Sequence, residues 1–162
     1  MDLPQRVGIV RSPHRAEAGA LAEDASVVAR ARGLDVWEAS SWDLSAVGPH
    51  LEGTDVVLCF GGDGTLIRAA RAASPHGVPV AGVNLGRVGF LAEFAPEDMD
   101  AGWRALLDGR YWVEERVTLH IDHQRAGVRI GSHLAINDAV VGRGPANHIV
   151  RLHTWVGGQY LT

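Results

Sequence analysis

The chain has 162 residues, of which 46% are apolar and 21% are charged. A chain of this length and composition can bury a hydrophobic core, which excludes a disordered protein. The formal net charge of −4 provides no positive surface for nucleic acid or for an anionic membrane. All 15 basic residues are arginine, so Schiff-base chemistry on lysine and phosphate loops that need a lysine are also excluded.

Cysteine content and hydropathy favour a reducing compartment. Cys59 is the only cysteine, so no intramolecular disulfide can form. It lies in an apolar run, residues 56–60, which favours an unreactive core thiol over a nucleophile. No apolar run approaches the roughly 18 residues that span a membrane, and the first residues show no signal-peptide pattern. We therefore expect a cytoplasmic protein that binds neither membranes nor nucleic acid.

Residues 1–110 alternate short apolar runs with helical patterns, which is typical of βα units around a parallel sheet. Ser12 and Pro13 are predicted to begin the first helix, as its N-cap and first-turn proline, and Gly33 to end it. Further helices are predicted over residues 66–73 and from Pro96 to Gly109. Strands are predicted at residues 6–10, from residue 36, at 55–60 and at 78–83.

Residues 111–162 have a different pattern, in which helical signals are absent. Three stretches are predicted to be extended, and they favour an antiparallel sheet: residues 113–121, 134–141 and 149–156. Gly157 and Gly158 have the chemistry of a hairpin turn. Because only four residues follow this turn, we expect a β domain that is incomplete in this chain.

The strongest local signal is the loop that follows the apolar run at residues 55–60. Its glycines, Gly61, Gly62 and Gly64, permit positive φ angles and a close approach of backbone N–H groups to an anion. The next helix adds the positive end of its dipole at the carboxyl edge of the sheet, where ligands of α/β proteins bind. Asp63 would then accept a proton from an attacking hydroxyl or orient a metal ion. The alternative is a tight turn in which Asp63 only caps the helix.

Three segments of the sequence carry a family resemblance that spans nearly the whole chain. The run Gly61-Gly62-Asp63-Gly64-Thr65 resembles the signature of the NAD kinase family, although diacylglycerol and sphingosine kinases and phosphofructokinases have similar loops. Residues 84–91 and 135–141 resemble two further NAD kinase segments in the same order and spacing. The resemblance implies a Rossmann or phosphofructokinase-like α/β domain with a parallel sheet over residues 1–110, and an incomplete antiparallel all-β domain over residues 111–162.

The resemblance implies an enzyme that phosphorylates the 2′-hydroxyl of the adenosine ribose of NAD, with ATP or polyphosphate as donor, to give NADP. Asp63 would be the general base for this hydroxyl. Mg²⁺ would be held mainly by the ATP phosphates, without a dedicated protein site. Similar enzymes assemble as dimers or tetramers, so a homo-oligomer is expected of the full-length protein.

The resemblance also assigns nucleotide contacts to residues around this base. These are Gly61, Gly62, Asp63, Gly64, Thr65, Arg68, Phe90, Asn137, Asp138 and His148. Arg68 would place a cation near the dinucleotide, although a solvated helix arginine is an equal alternative. Asn137 and Asp138 interrupt an apolar strand-like run and would hydrogen-bond the dinucleotide. Similar proteins commonly have glutamate in place of Asp138, which is one methylene shorter. Without the family, Phe90 reads as a core residue and His148 as a structural histidine.

Two other functions remain open from the sequence. A lipid kinase shares the glycine-rich loop, but the segments at residues 84–91 and 137–141 argue against it. A nucleotide-binding module without catalysis is the second alternative. NAD kinases have a threonine- and glycine-rich segment that lines the dinucleotide site, and it would begin just beyond Tyr160.

Overall fold

A computed structural model describes residues 3–86, 89, 91–143 and 149–162, except for the side chains of residues 44 and 45. The elements of the α/β part are β1 (Arg6–Arg11), α1 (Ala16–Ala31), β2 (Asp35–Ser40), α2 (Leu44–Val47), β3 (Val56–Gly61), α3 (Asp63–Ala73), β4 (Val80–Asn84) and α4 (Met99–Leu107). They are followed by β5 (Leu119–Arg125), β6 (Val128–Ala135), β7 (Trp155–Val156) and β8 (Gln159–Tyr160). Short 3-10 turns lie at Gly48–His50, Ser74–His76 and Pro96–Asp98.

The first four strands form one parallel sheet in the order β2-β1-β3-β4. β5 pairs with β6, and β7 with β8, in two separate antiparallel hairpins. The predicted combination of a parallel-sheet α/β part with antiparallel strand pairs is therefore confirmed. None of the helices among the described residues is both long and apolar enough to cross a bilayer.

The core lies on both faces of the parallel sheet, and β3 is buried along its whole length. Val56, Leu58 and Phe60 point to one face, where they pack with α1 and α4. Val57 and Cys59 point to the opposite face, where they pack with residues of α3. This alternation follows the two-residue period of a strand, and helices on both sides explain why β3 is apolar throughout.

Trp103 joins α4 to the rest of the core. Its side chain is fully buried, and its Nε1–H donates a hydrogen bond to the carbonyl oxygen of Ala25 in α1, at 3.0 Å. A buried indole N–H without such a partner would cost free energy, so this bond favours the buried position. On the other face of the sheet, Trp37 Nε1–H donates a hydrogen bond to Thr54 Oγ1 at 2.9 Å. The Trp37 ring packs closely over Gly8, where an added Cβ would overlap it. The sheet therefore depends on glycine at position 8.

Two helix starts differ from the sequence prediction. α1 begins at Ala16 with Arg15 as its N-cap, so Ser12 and Pro13 do not cap it. The residues between form a turn, in which the Ser12 hydroxyl accepts a hydrogen bond from the backbone N–H of His14 at 3.4 Å. α3 begins three residues earlier than predicted, because Asp63 and the two residues after it are already helical. The predicted C-terminal glycine of α1, Gly33, has the expected left-handed φ of 81°.

The strands after residue 110 are shifted from their predicted places. The strands predicted at residues 113–121 and 134–141 are found at Leu119–Arg125 and Val128–Ala135. Of the strand predicted at residues 149–156, only Trp155–Val156 is extended in a sheet. The shift arises because Ala126 and Gly127, with φ of 48° and 77°, form a tight hairpin turn. The first position of this turn is an alanine, and the sequence patterns that predict two-residue hairpin turns do not have alanine there. The hairpin turn predicted at Gly157 and Gly158 is confirmed.

We expect Trp103→Ala to lower the free energy of unfolding by about 3–5 kcal/mol, because it leaves a large cavity between α1 and α4. Trp112→Ala is the matched control, since Trp112 is 77% exposed and its loss should change the stability little. Urea unfolding followed by circular dichroism measures both. Equal losses in the two variants would contradict this packing role.

Candidate functional site

The glycine-rich loop lies between β3 and α3, at the carboxyl edge of the parallel sheet. Gly62 is the N-cap of α3, and its backbone is extended, with φ of −94° and ψ of −176°. None of its three glycines has a positive φ, although glycine permits one. Gly61 is needed for a different reason, because its Cβ would overlap Thr65 Oγ1 and lie 2.7 Å from Thr65 Cβ. A Cβ at Gly62 or Gly64 would meet nothing within 4 Å, so the space over the loop is open.

Asp63 is the first residue of α3, where its carboxylate is favoured by the positive end of the helix dipole. Asn84 lies beside it at the end of β4, since the backbone N–H of Leu85 donates to the carbonyl oxygen of Gly61 at 2.9 Å. Gly89 fits between the two side chains. A Cβ on Gly89 would be 2.8 Å from Asn84 Nδ2 and 3.0 Å from Asp63 Oδ1. Adjacent parallel strands therefore bring a carboxylate and a carboxamide to one point at the sheet edge.

The Asn84 side chain is held in one orientation. Its Oδ1 accepts a hydrogen bond from the backbone N–H of Gly86 at 2.9 Å, which leaves the Nδ2 end on the side of Gly89. The sequence resemblance included Asn84 in a matched segment but assigned it no role. Only the pairing of β3 with β4 shows that it neighbours Asp63.

A first cleft, of about 260 Å³, opens beside the loop and is called the Arg68 cleft here. Its lining comprises Ser12, His14, Ser41, Trp42, Gly62, Gly64, Thr65 and Arg68. The Arg68 guanidinium lies over the Trp42 ring, 4.3 Å from its centroid, and the His14 ring meets Trp42 edge-on at 5.1 Å. Sequence reasoning found Arg68 and the loop but missed the residues that follow β1 and β2. These residues come directly after two predicted strands, and this position in the sequence could have indicated that they line the site.

A second cleft, of about 170 Å³, lies where α3 meets the end of β6 and is called the Asn137 cleft. Its lining comprises Ile67, Arg71, Leu134, Ala135, Ile136, Asn137 and Asp138. Asn137 and Asp138 were predicted to interrupt a buried strand, but both follow β6 and are exposed. The Asn137 amide donates to the Asp138 carboxylate at 2.9 Å. Arg71 was not predicted, although its place two helical turns after Asp63 could have indicated it.

The structure thus divides the predicted site residues between two clefts. The glycine loop, Thr65 and Arg68 lie together on one side of α3, while Asn137 and Asp138 lie against another side of the same helix. Phe90 and His148 lie outside the described residues. Among the described residues, no group of three or more His, Cys, Asp or Glu side chains is arranged to hold a metal ion.

The remaining acidic and thiol groups near β3 and β4 are structural. Cys59 lies in the core, as predicted, and burial raises the pKa of its thiol far above its ordinary range. Glu93 covers the free edge of β4, where its carboxylate accepts a hydrogen bond from the backbone N–H of Gly82 at 2.6 Å. Loss of water around this carboxylate raises the pKa of Glu93, and the bond from Gly82 opposes the rise.

Comparisons with known proteins found matches that together cover most of the chain. Residues 9–111 match the ATP-NAD kinase N-terminal domain. The NAD kinase of Dehalococcoides mccartyi strain BAV1 is 33% identical over 161 residues, which cover 98% of this chain and 56% of the relative. The chain belongs to the NAD kinase family. The NAD kinase of Natranaerobius thermophilus is 39% identical over 110 residues, which cover 68% of this chain and 38% of that relative.

The family resemblance extends to three dimensions. The crystal structure of yeast NADH kinase complexed with NADH has the same fold, with a TM-score of 0.67 at 18% identity, over 100% of this chain and 55% of the yeast chain. The chain thus spans about half the length of the NAD kinase relatives that it matches along its whole length. The matched residues include the glycine loop and the residues that line both clefts.

An added methyl group should change the stability of the fold differently at two glycines of the NAD kinase loop. We expect Gly61→Ala to lower the free energy of unfolding by about 1–3 kcal/mol, because the methyl group overlaps the buried Thr65. Gly64→Ala is the matched variant, because Gly64 is a helical residue whose added methyl group would meet no other atom within 4 Å. Alanine favours a helix more than glycine does, so this variant should be neutral or more stable by up to about 1 kcal/mol. Chemical unfolding of both variants measures the difference, and equal stabilities would contradict the close packing at Gly61.

Glu93 should make the stability depend on pH. Because the pKa of Glu93 is raised in the fold, its contribution is complete in acid and is lost as the pH rises through that pKa. The Glu93→Gln variant keeps Arg116 and Glu114. In the unmodified chain, Arg116 lowers the pKa of Glu93 and Glu114 raises it. The stability of Glu93→Gln relative to the unmodified chain should therefore increase from about pH 4 to pH 7. Urea midpoints across this range test it, and a constant difference would refute it.

Proposed function

We propose that this chain is the part of an NAD kinase that holds the catalytic base, and that it transfers a phosphoryl group to the 2′-hydroxyl of the adenosine ribose of NAD. The observation that carries the proposal is the position of Asp63. It lies at the start of α3 with Asn84 beside it, at the carboxyl edge of the sheet, in a chain of the NAD kinase family. ATP or polyphosphate is the proposed phosphate donor, and NADP the product.

In the proposed reaction, Asp63 accepts the proton of the 2′-hydroxyl of the ribose. At the same time the 2′-oxygen attacks the terminal phosphorus of ATP. The new bond joins the 2′-oxygen to that phosphorus, and the bond from phosphorus to the bridging oxygen breaks to release ADP. Phosphoryl transfer has a loose transition state, so positioning and charge neutralisation supply most of the acceleration. Backbone N–H groups at the start of α3 and the Arg68 guanidinium would supply positive potential beside the loop.

The Asn137 cleft is the proposed contact region for the dinucleotide. Asn137 and Asp138 are exposed and can turn to hydrogen-bond ribose hydroxyls, while Ile67 supplies an apolar wall. Asp63, Ile67 and Arg71 are four residues apart on α3, so they share one side of the helix. This spacing supports a proposed base and a dinucleotide cleft on the same side of α3. Phe90 and His148 remain proposed contacts from the resemblance.

Mg²⁺ is proposed to enter with the phosphate donor and to neutralise its phosphates when bound. Phosphate oxygens and water are the proposed main ligands of the ion. We further propose that the full-length protein is a cytoplasmic homo-oligomer, a dimer or tetramer, whose partners are its small-molecule substrates. The negative net charge supports the proposal that it binds neither nucleic acid nor membranes.

A second candidate is a nucleotide-binding module that does not catalyse transfer. Such a module would bind ATP or NAD through the same clefts without forming NADP. The family match gives no support to a lipid kinase.

The decisive test is NADP formation from NAD, ATP and Mg²⁺ by the chain and by Asp63→Asn. We expect the substitution to lower the rate by about 10²–10⁴-fold, the usual contribution of a general base. Asp24→Asn is the matched control, because Asp24 is an exposed aspartate on α1. Full activity in Asp63→Asn would remove the base from the mechanism. Binding of NAD without activity in the unmodified chain would favour the non-catalytic module.

A further inference from the structure

Residues 91–94, called the return segment here, lead the chain back to β4 along the edge of the strand that β3 does not cover. The Glu93 carboxylate accepts a hydrogen bond from the backbone N–H of Gly82 at 2.6 Å. The Gly82 carbonyl oxygen in turn accepts from the backbone N–H groups of Glu93 and Phe94, at 3.1 and 3.0 Å. The carbonyl oxygen of Phe94 accepts from the backbone N–H of Asn84 at 2.9 Å. The return segment therefore binds the backbone of β4 at Gly82 and at Asn84.

Close packing accompanies these hydrogen bonds. A Cβ on Gly82 would lie 3.2 Å from Ala92 Cβ, and the Phe94 ring packs against the core cluster that contains α1 and α4. Phe94 forms a parallel bridge with Val83, although only residues 84–93 connect the two. Parallel pairing ordinarily needs a connection of a dozen or more residues, so the two ends of this short connection are held close together.

Asn84 belongs both to this edge and to the site of the proposed base. Its backbone N–H is held by Phe94, while its side-chain Oδ1 accepts from the backbone N–H of Gly86 at 2.9 Å. A Cβ on Gly89 would lie 2.8 Å from Asn84 Nδ2 and 3.0 Å from Asp63 Oδ1, so these two atoms flank one point. Asp63 Oδ1 is shielded from solvent. A displacement of Asn84 would therefore change the surroundings of the carboxylate.

Glu93 is the side chain through which this arrangement can be altered. The other hydrogen bonds between the return segment and β4 join backbone atoms, and a side-chain substitution leaves them in place. A bond from an N–H group to a carboxylate is stronger than one between neutral groups. Glu93 lies outside both buried clusters, so its replacement leaves the core packing unchanged.

We propose that Glu93 is a positioning residue for the general base. Its bond to Gly82 fixes the return segment against β4, and the return segment in turn fixes Asn84 beside the Asp63 carboxylate. Glu93 acts through Asn84 and not by contact with a substrate. The inference rests on the proposed function, because it explains how the base is kept in place for attack by the 2′-hydroxyl.

Hydrogen exchange of the backbone amides, followed by NMR on the chain without ligand, tests the positioning role. Glu93→Ala should speed the exchange of the Gly86 N–H by about tenfold, because the Asn84 side chain protects this hydrogen and Glu93 holds Asn84 in place. Glu93→Met keeps the side-chain length but removes the oxygen acceptors, so it should have the same effect. Glu93→Gln should leave the exchange unchanged, because its amide oxygen can accept from Gly82.

Glu97→Ala is the matched control, because Glu97 is an exposed glutamate in the neighbouring turn Pro96–Asp98. It removes the same charge and should not change the exchange at Gly86. Circular dichroism checks that each variant is folded. Unchanged exchange in Glu93→Ala, or an equal increase in Glu97→Ala, would overturn the proposal. Failure of both Glu93→Ala and Glu93→Met to fold would also overturn it, because Glu93 would then be needed for the fold as a whole.

NADP formation supplies the second readout. Glu93→Ala should lower kcat by about 10–10²-fold, the cost of misplacing a reacting group, with little change in the KM for NAD or for ATP. Glu93→Gln should keep most of the rate of the unmodified chain. Faster exchange at Gly86 with an unchanged kcat would mean that Asn84 moves without consequence for the base, and the positioning role would be overturned.

The two readouts separate this inference from the proposed function. If the chain forms no NADP but Glu93→Ala exchanges faster at Gly86, the proposed function fails for this chain and the hold of Glu93 on Asn84 is supported. If Asp63→Asn abolishes activity while Glu93→Ala changes neither rate nor exchange, the function stands and the positioning role fails.

Discussion

The burial of β3 on both faces is the constraint on which the rest of the structure depends. A strand covered by helices on both sides cannot carry polar side chains along its length, so its polar residues must follow its end. In this chain the polar residues begin directly after Gly61, and the pairing of β3 with β4 brings Asn84 to the same edge. The general position of the site is therefore a consequence of how the core is built.

The helix α3 lies between two clefts at this edge. One side packs on the sheet through Leu66, Ala69 and Ala73, which are all buried. The two remaining sides face different clefts, one through Arg68 and the other through Arg71. A transferase needs its donor and acceptor to meet at one point, and the proposed base is the first residue of the helix between the two clefts. Phosphoryl transfer depends mainly on such positioning.

The two parts of the chain contribute differently to stability and to the site. The two buried clusters consist entirely of residues before position 108, and they hold the parallel sheet. The β hairpins are largely exposed, and large apolar side chains such as Trp112, Val140 and Ile149 lie at the surface. Ala135 is an exception, since it is 9% exposed and lies in the wall of the Asn137 cleft. The second part of the chain therefore supplies one wall of a cleft whose other wall is the stable α/β part.

Local signals in the sequence determined the βα order, the loop around Asp63 and the turn at Gly157, because hydrophobic period and glycine placement act over a few residues. The register of β5 and β6 was not predicted, since it depends on a turn with alanine at position 126. Only the tertiary structure decided which side chains share a cleft. Ser12, Trp42 and Arg68 are far apart in the chain, and they meet because the strands before them are parallel neighbours whose ends lie at one edge.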